Sequence, residues 1–144
     1  MFYSLRYGSN ITFLFYRPLE SQFLEACKSG NLENVKSTLE KLKIEGNDVN
    51  VQDAKGRSGL WLAASGGHLS VLEFLVSEGA NVDATNNERK TALMIASFNG
   101  HMSVCEYLIS QNCDVMIQCK AETALDYAID GKNEEIVALL KPFQ

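Results

Sequence analysis

Apolar positions recur along this chain with a period of 33 residues. When the stretch 58–83 is aligned with the stretch 91–116, 10 of 26 positions are identical and most of the others are conservative. A fixed period of this length is typical of a stack of small supersecondary units, each of which needs its neighbours to bury its apolar face. The pattern therefore predicts a repeat protein built to present a surface.

Within each period the pattern predicts two helices and a loop. In the second unit Ser58 is suited to cap a short helix that ends near Gly67, and a second helix follows over about 68–77. Gly79 then favours a left-handed exit from that helix, and Asn112 takes the same place in the third unit. The second helix has the i, i+1, i+4, i+5 spacing of a buried face at Val71, Leu72, Leu75 and Val76.

The same reading extends to about four units, at 20–52, 53–85, 86–117 and 118–144. The predicted fold is an all-α solenoid of helix-turn-helix units whose connecting loops form β-turn fingers. The first and last units have the polar character of caps, which favours a complete four-unit stack, although a fragment of a longer array stays open.

Several short motifs then resemble those of a known family. They are Thr91-Ala92-Leu93 and Thr123-Ala124-Leu125 at the first helix, Gly67-His68 and Gly100-His101 between helices, and Glu78-Gly79-Ala80-Asn81-Val82-Asp83 in the loop. With the period, they make the chain similar to an ankyrin-repeat protein over about residues 20–144. The family's Thr-Pro-Leu-His motif is incomplete, because Gly59, Ala92 and Ala124 replace the proline. Since proline preorganises a helix start, we expect modestly weaker units and an intact fold.

Residues 1–18 lie outside the repeat and carry six of the chain's aromatic side chains. Two β-prone runs, 2–7 and 11–16, flank Gly8-Ser9-Asn10, which is a hairpin signal. One interpretation is a strand pair that covers the end of the stack, or a partner-binding arm. The alternatives are a disordered leader without a role and a weak targeting sequence.

The charge balance excludes some partners. The net charge is −5, and because residues 1–18 carry Arg6 and Arg17 and no acidic residue, the rest of the chain carries −7. Non-specific binding to nucleic acid or to anionic membrane needs a basic field. No apolar run approaches the roughly 18 residues of a membrane span. We therefore expect a monomer whose partner is another protein, with no nucleic acid and no membrane.

The residues that could carry chemistry have simpler interpretations. His68 and His101 occupy equivalent repeat positions, and Cys27 and Cys105 fall on core-facing positions. The cysteine spacings fit neither a zinc site nor a disulfide framework, which favours a reducing, intracellular compartment, cytoplasmic with the nucleus also open. No nucleophile elbow, phosphate loop or dinucleotide fingerprint is present in the sequence. The prediction is therefore a protein that is not an enzyme and needs no cofactor or metal.

The resemblance implies a partner site on the concave face, made of loop tips and first helices. By register, Trp61 and Phe98 would be anchors, while Arg57 and Lys90 would select an acidic segment of the partner. The plainer alternatives are that Trp61 packs in the core and that Phe98 is an ordinary exposed aromatic. The full predicted set is Lys55, Arg57, Trp61, Ser65, Asn87, Glu88, Lys90, Phe98, Asn99, Lys120, Glu122 and Asp130.

Two functions are compatible with such a site. The first is a non-catalytic adaptor or scaffold, and the alternative is a dedicated stoichiometric inhibitor of a single enzyme. The resemblance also implies that Asn50 is a candidate for hydroxylation, against the plainer interpretation of a loop asparagine that bonds to backbone.

Overall fold

A computed structural model describes residues 18–144 of the chain. The strand pair or leader expected within residues 1–18 therefore lies, except for Pro18, outside the described residues.

The described part of the chain forms a stack of helix pairs. The first helix of each pair belongs to an inner layer and the second to an outer layer, and no strand is present among these residues beyond isolated bridges. The predicted all-α repeat stack is thus confirmed. The pairs are α1 (Leu19–Ser29) with α2 (Leu32–Ile44), α3 (Gly59–Gly66) with α4 (Leu69–Ser77), α5 (Ala92–Asn99) with α6 (Met102–Ser110), and α7 (Ala124–Asp130) with α8 (Glu134–Leu140), followed by a short 3-10 helix (Lys141–Phe143).

Hydroxyl residues cap the starts of α3 and α5, as the sequence predicts, whereas α1 follows Pro18 and has no side-chain cap. The Ser58 side chain accepts a hydrogen bond from the backbone N–H of Trp61 at 3.2 Å, and Thr91 accepts one from Met94 at 3.2 Å. These bonds satisfy N–H groups that the first helical turn leaves without a partner. α3 and α5 therefore each start at a defined residue, and this fixes the loops that precede them.

Left-handed residues end the helices. Gly30, Gly67 and Gly100 follow the inner helices with φ of 77°, 72° and 81°, a region that glycine enters without steric penalty. Asn112 has φ 58° after α6, where the sequence predicts a left-handed residue. The first three inner-to-outer turns are therefore encoded locally.

The core runs between the two helix layers along the whole described stack. Cys27 and Cys105 are fully buried in it, and burial raises the pKa of the Cys27 thiol to about 12 and that of Cys105 to about 11. All four cysteines are free, and these two pack as small apolar side chains, as predicted. The largest fully buried side chains include Phe23, Leu39, Leu72, Leu75, Met94, Leu108, Ile136 and Leu140.

The inner helices pack more closely on one another than the outer helices do. Ala63, Ala64, Ala96 and Ala128 are fully buried in this layer, and their small side chains let the helix axes approach. The stack therefore curves towards its inner side. We call the side made of the inner helices and the connecting loops the groove face.

The two histidines join neighbouring pairs. Nε2 of His68 lies 2.9 Å from the carbonyl oxygen of Lys28, and Nε2 of His101 lies 2.9 Å from that of Ser65. In the tautomer protonated at Nε2, each ring donates a hydrogen bond to the preceding unit. The geometry therefore gives both histidines a structural role.

Asparagine and aspartate side chains join the loops that follow the outer helices. Oδ1 of Asn50 accepts from the backbone N–H of Asn81 at 2.9 Å, and Oδ1 of Asp83 accepts from that of Asp114 at 2.8 Å. Asn50 thus makes the backbone contact of the plainer interpretation, and its hydroxylation stays a prediction.

Candidate partner-binding site

Three loop fingers project from the starts of the inner helices on the groove face. Finger 1 spans 52–58, finger 2 spans 85–91 and finger 3 spans 119–122, and each closes with an isolated antiparallel bridge. Because each finger leads directly into an inner helix, its last residues are held against that helix. The fingers therefore position side chains above α3, α5 and α7.

One side chain shapes each of the first two fingers. Oδ1 of Asp53 accepts from the backbone N–H groups of Lys55 and Arg57, both at 2.9 Å. In finger 2, Oδ1 of Asn86 accepts from Glu88 at 3.0 Å and Lys90 at 2.9 Å. The two fingers thus share one turn geometry, although only the first uses a titratable group.

Hydrogen bonds also tie each finger to the next. Nδ2 of Asn87 donates to the carbonyl of Ala54 at 3.0 Å, and its backbone N–H donates to Lys55 at 3.0 Å. Sγ of Cys119 donates to the carbonyl of Glu88 at 3.0 Å. Asn87, a predicted partner residue, is therefore engaged in holding the fingers side by side.

A depression of about 390 Å³ lies between fingers 1 and 2, over the starts of α3 and α5. Half of the sequence-predicted partner residues meet there. Its lining consists of Ala54, Lys55, Arg57, Trp61, Asn86, Asn87, Glu88, Lys90 and Ile95.

Trp61 lies on α3 below Arg57. Its side chain is only 8% exposed, and its Nε1 has no hydrogen-bond partner among the described residues. The Arg57 guanidinium lies 5.9 Å from the ring centroid, within cation–π range. Trp61 is thus largely core, as in the plainer interpretation, and it contributes an edge to the depression.

Arg57 is also paired with Asp53. Both Nε and Nη2 of Arg57 lie 2.7 Å from Oδ2 of Asp53. Desolvation of Asp53 opposes ionisation, but the hydrogen bonds from Arg57 and Lys55 outweigh it and hold the pKa of Asp53 below its usual value. Arg57 is therefore fixed in place over Trp61 with its charge partly balanced.

Lys90 also pairs with a carboxylate of its own finger, but the ring beside it belongs to the next unit. Its Nζ lies 2.7 Å from Oε2 of Glu88 and 5.9 Å from the ring centroid of Tyr127 on α7. The hydrogen bond from Lys90, and then its charge, lower the pKa of Glu88, with smaller contributions from Lys120 and Lys55. Glu88 is thus an exposed carboxylate among three lysines.

Tyr127 is the residue that sequence reasoning missed most clearly. Burial, and then a hydrogen bond with Cys119, raise the pKa of its hydroxyl above the ordinary value. Ile95, Asn86 and Ala54 also line the depression and were not predicted. An aromatic residue on the first helix of the fourth unit was the available signal for Tyr127, but nothing in the sequence placed Lys90 of the preceding unit over its ring.

The finger tips carry a local excess of positive charge. The three fingers together hold five cations and three carboxylates, in a chain whose net charge is −5. Lys55 and Lys120 are exposed and make no ion pair among the described residues. The fingers of the groove face therefore have a positive charge balance, in contrast to the negative net charge of the chain.

Lys120 and Glu122 belong to finger 3, whereas the last four predicted residues lie at the opposite ends of the inner helices. Phe98 and Asn99 end α5, and Asp130 ends α7, about 12 Å from the fingers for an eight-residue helix. Ser65 lies in the last turn of α3, and its carbonyl accepts from Nδ2 of Asn99 at 2.9 Å. Phe98 is 46% exposed. The predicted set is thus divided into a finger group and a helix-end group.

The described residues contain no group of three or more His, Cys, Asp or Glu side chains placed to hold a metal ion. Within the same part of the chain, no helix has the length and apolar character needed to cross a membrane.

Comparison with known families gives a match to a model described as ankyrin repeats (3 copies) over residues 23–119. Comparison with curated protein sequences gives no significant match. Repeats of this kind are protein–protein interaction modules and are typically non-catalytic. Because the match covers more than half of the chain and the helix pairs follow its repeats, the chain belongs to the ankyrin-repeat family.

Proposed function

We propose that this protein is a non-catalytic adaptor whose groove face binds an acidic segment of a partner protein. The observation that supports it most is the depression between fingers 1 and 2, where Arg57, Lys90 and Lys55 surround a recess over Trp61. Cations placed beside aromatic surface are typical of residues that contribute strongly to interfaces.

The finger group supplies charge and the helix-end group supplies apolar surface. Phe98 is exposed at the end of α5, and Ile129 is 53% exposed near the end of α7. A partner that lies across the inner helices would bury both groups together. The resulting contact is compatible with a standard interface of roughly 800 Å² per partner.

The test compares two matched double variants. Lys90→Glu/Phe98→Ala reverses one cation and removes one exposed apolar side chain on the groove face. Lys41→Glu/Ile44→Ala makes the same two changes on the outer helix α2, where Lys41 is exposed and Ile44 is 85% exposed. Partners captured by the wild-type protein are expected to be lost with the first variant and kept with the second, provided that both variants unfold at the wild-type temperature.

The pattern of captured proteins then identifies the role. Several partners whose own activities are unchanged support an adaptor. One stoichiometric partner enzyme that stops turning over identifies the chain as an inhibitor instead. Retention of every partner by the groove variant would show that the binding surface lies elsewhere on the molecule.

A further inference from the structure

The tips of the three fingers carry charges of alternating sign. Lys55 and Glu88 occupy equivalent positions of fingers 1 and 2, 33 residues apart in the chain. Finger 3 is shorter and turns at Lys120 and Ala121, which both lie in the left-handed region with φ of 53° and 69°. Lys55 and Lys120 are exposed and make no ion pair among the described residues. The row of tips is therefore lysine, glutamate and lysine.

Hydrogen bonds between the fingers hold Glu88 between these two lysines. On one side, the backbone N–H of Asn87 donates to the carbonyl oxygen of Lys55 at 3.0 Å. On the other side, Sγ of Cys119 donates to the carbonyl oxygen of Glu88 at 3.0 Å. Asn87 directly precedes Glu88 in the chain, and Cys119 directly precedes Lys120. The three tips are therefore fixed side by side, with Glu88 in the middle.

Lys90 adds a third cation beside Glu88. Its Nζ lies 2.7 Å from Oε2 of Glu88 and 5.9 Å from the ring centroid of Tyr127 on α7. The hydrogen bond and the charge of Lys90 are the main causes that lower the pKa of Glu88, and the charges of Lys120 and Lys55 add to them. We call Lys55, Lys90 and Lys120 the lysine cluster. Glu88 is the carboxylate that this cluster holds in the free protein.

Glu88 is held less firmly than Asp53, the carboxylate of finger 1. Oδ1 of Asp53 accepts the two backbone bonds that shape finger 1, and its Oδ2 pairs with Arg57. In finger 2 the shaping bonds belong to Asn86, so the turn does not use the Glu88 side chain. That side chain is 61% exposed, and exposed ion pairs contribute little to stability. Glu88 can therefore turn to solvent while finger 2 keeps its shape.

The lysine cluster keeps its form when Glu88 turns away. Lys90 remains beside the Tyr127 ring, because that contact does not involve Glu88. Lys55 and Lys120 stay on tips whose joining bonds do not use the Glu88 side chain. Each ammonium group has three donors, so the cluster can bind a carboxylate from another chain. Such a carboxylate is repelled for as long as Glu88 occupies the cluster.

We propose that the lysine cluster binds a carboxylate of the partner segment and that Glu88 occupies this site in the free protein as an internal competitor. This inference depends on the proposed function and adds a regulating contact to the same groove face. The partner's carboxylate replaces that of Glu88 beside Nζ of Lys90, and Glu88 turns to solvent. A segment therefore binds only when its carboxylates attract the lysines more strongly than Glu88 does.

The test measures how tightly the isotope-labelled protein binds capped hexaglutamate at low salt, with the backbone amide NMR signals as the readout. Signals of the three fingers are expected to shift, which locates the site, and their titration gives the dissociation constant. Glu88→Gln keeps the size of the side chain and removes the competing charge. We expect this variant to bind about threefold more tightly than the wild type.

Glu122→Gln is the matched control for that variant. Glu122 is also an exposed carboxylate of the fingers, but it makes no ion pair among the described residues. Its removal changes the net charge by the same amount without freeing a lysine. The expected gain in affinity for hexaglutamate is below about 1.5-fold, the effect of the general field alone.

A second comparison establishes whether the gain requires the lysines. In the Glu88→Gln protein, Lys55→Gln and Lys120→Gln are each expected to weaken binding about threefold. Lys41→Gln removes the same charge from the outer helix α2, where Lys41 is exposed, and is expected to weaken binding by less than about 1.5-fold. Unfolding temperatures equal to that of the wild type show that each variant is folded.

Four results would overturn the proposal. The first is an equal gain in Glu88→Gln and Glu122→Gln, which would show that only the net charge matters. The second is a Glu88→Gln protein that binds no more tightly than the wild type or does not bind hexaglutamate. The third is a shift of amide signals that spares the fingers. The fourth is an equal loss in Lys41→Gln and in the two cluster variants.

The proposed function can fail separately. If captured partners are lost with Lys90→Glu/Phe98→Ala but Glu88→Gln shows no gain, the adaptor site stands and the internal competition is wrong. If partners are retained by the Lys90→Glu/Phe98→Ala variant, the adaptor site itself is wrong.

Discussion

Two joints between helix pairs can be compared, the one between the second and third pairs and the one between the third and fourth. They follow similar backbone paths but use different residues. At the first joint Gly67 has φ 72° and His101 bonds to the carbonyl of Ser65. At the second, Gly100 has φ 81° and lies against Asn133 of the fourth unit, while in the turn inside the fourth unit the left-handed position falls on Lys132 with φ 59°. The turn between α7 and α8 in the fourth unit therefore contains a non-glycine residue in a left-handed conformation.

The inter-unit hydrogen bond is kept at both joints, with a different donor. Nδ2 of Asn133 donates to the carbonyls of Ser97 at 2.7 Å and Phe98 at 2.9 Å. Gly131 cannot be larger, because a Cβ there would overlap the carbonyl oxygen of Phe98. The comparison shows that each joint combines a left-handed glycine with a side-chain donor from the next unit, and that this donor is a histidine at one joint and an asparagine at the other.

The largest effect is expected at Gly67, in the joint between the second and third helix pairs. Gly67→Ala forces alanine into φ 72° and places its Cβ 2.5 Å from Nδ1 of His101. The left-handed conformation alone costs about 1–2 kcal/mol, and displacing the ring adds to it, so we expect a loss of about 3 kcal/mol measured by urea unfolding.

Gly79→Ala is the matched control for that variant. Gly79 has φ 92°, but a Cβ there would meet nothing within 4 Å. The expected loss of stability in Gly79→Ala is about 1 kcal/mol, which is the cost of the left-handed conformation alone. Equal losses in the two variants would show that the contact with His101 has no role in joining the units.

The next effect distinguishes the two joints by their donors. Asn133→Ala leaves two carbonyls without this donor, and we expect a loss of about 1–2 kcal/mol. Asn99→Ala removes a donor from the Ser65 carbonyl, which keeps the bond from His101 at 2.9 Å, so the expected loss is below about 1 kcal/mol. Thermal unfolding of both variants measures the difference, and a larger loss for Asn99→Ala would contradict it.

Much of this architecture could be predicted from the sequence, because it depends on local signals. The caps Ser58 and Thr91 and the breaks at Gly67 and Gly100 act within one or two turns of chain, and the 33-residue period relates them in the second and third units. The turn between α7 and α8 was not predictable in detail. Lys132 has φ 59°, a conformation that lysine rarely adopts, so only its register with Gly67 and Gly100 points to it.

The candidate site was predictable in part for the same reason. Register placed Arg57 and Lys90 at the finger bases, and the structure brings both to one depression. Register could not show that Ser65 and Asn99 bond to each other, or that Lys90 reaches across to Tyr127. Those contacts depend on side-chain reach between units.

A smaller effect, of opposite sign, is expected at the strained residues of the fourth unit. Ala121 has φ 69° and Lys132 has φ 59°. Ala121→Gly and Lys132→Gly relieve a left-handed side chain in each case, and we expect each to raise stability by about 0.5–1 kcal/mol. Ala138→Gly, at an exposed position inside α8, should instead lower it by about 0.5–1 kcal/mol. A loss in all three variants would exclude relief of strain.

The smallest expected effect is a difference between fingers 1 and 2 in how far each makes the stability of the protein depend on pH. Asp53 and Asn86 make the same two backbone bonds, but only Asp53 titrates, and its pKa is lowered in the folded state by its bonds to Arg57 and Lys55 despite desolvation. A carboxyl group whose pKa is lower in the folded state than in the unfolded state stabilises the protein at pH values above the unfolded pKa of about 3.9. This contribution is lost as the pH falls through the folded pKa.

Asp53→Asn should therefore lower stability at pH 7 by about 0.5–1 kcal/mol, since the ion pair is partly exposed, and the difference from wild type should shrink below about pH 4. The reciprocal variant Asn86→Asp places a carboxylate four residues before Lys90, as Asp53 stands before Arg57. It should acquire the same acid dependence in finger 2. Urea unfolding of the three proteins between pH 7 and pH 3 measures both differences. A pH-independent gap between wild type and Asp53→Asn would mean that the turn depends on the side-chain oxygen alone and that its charge contributes nothing.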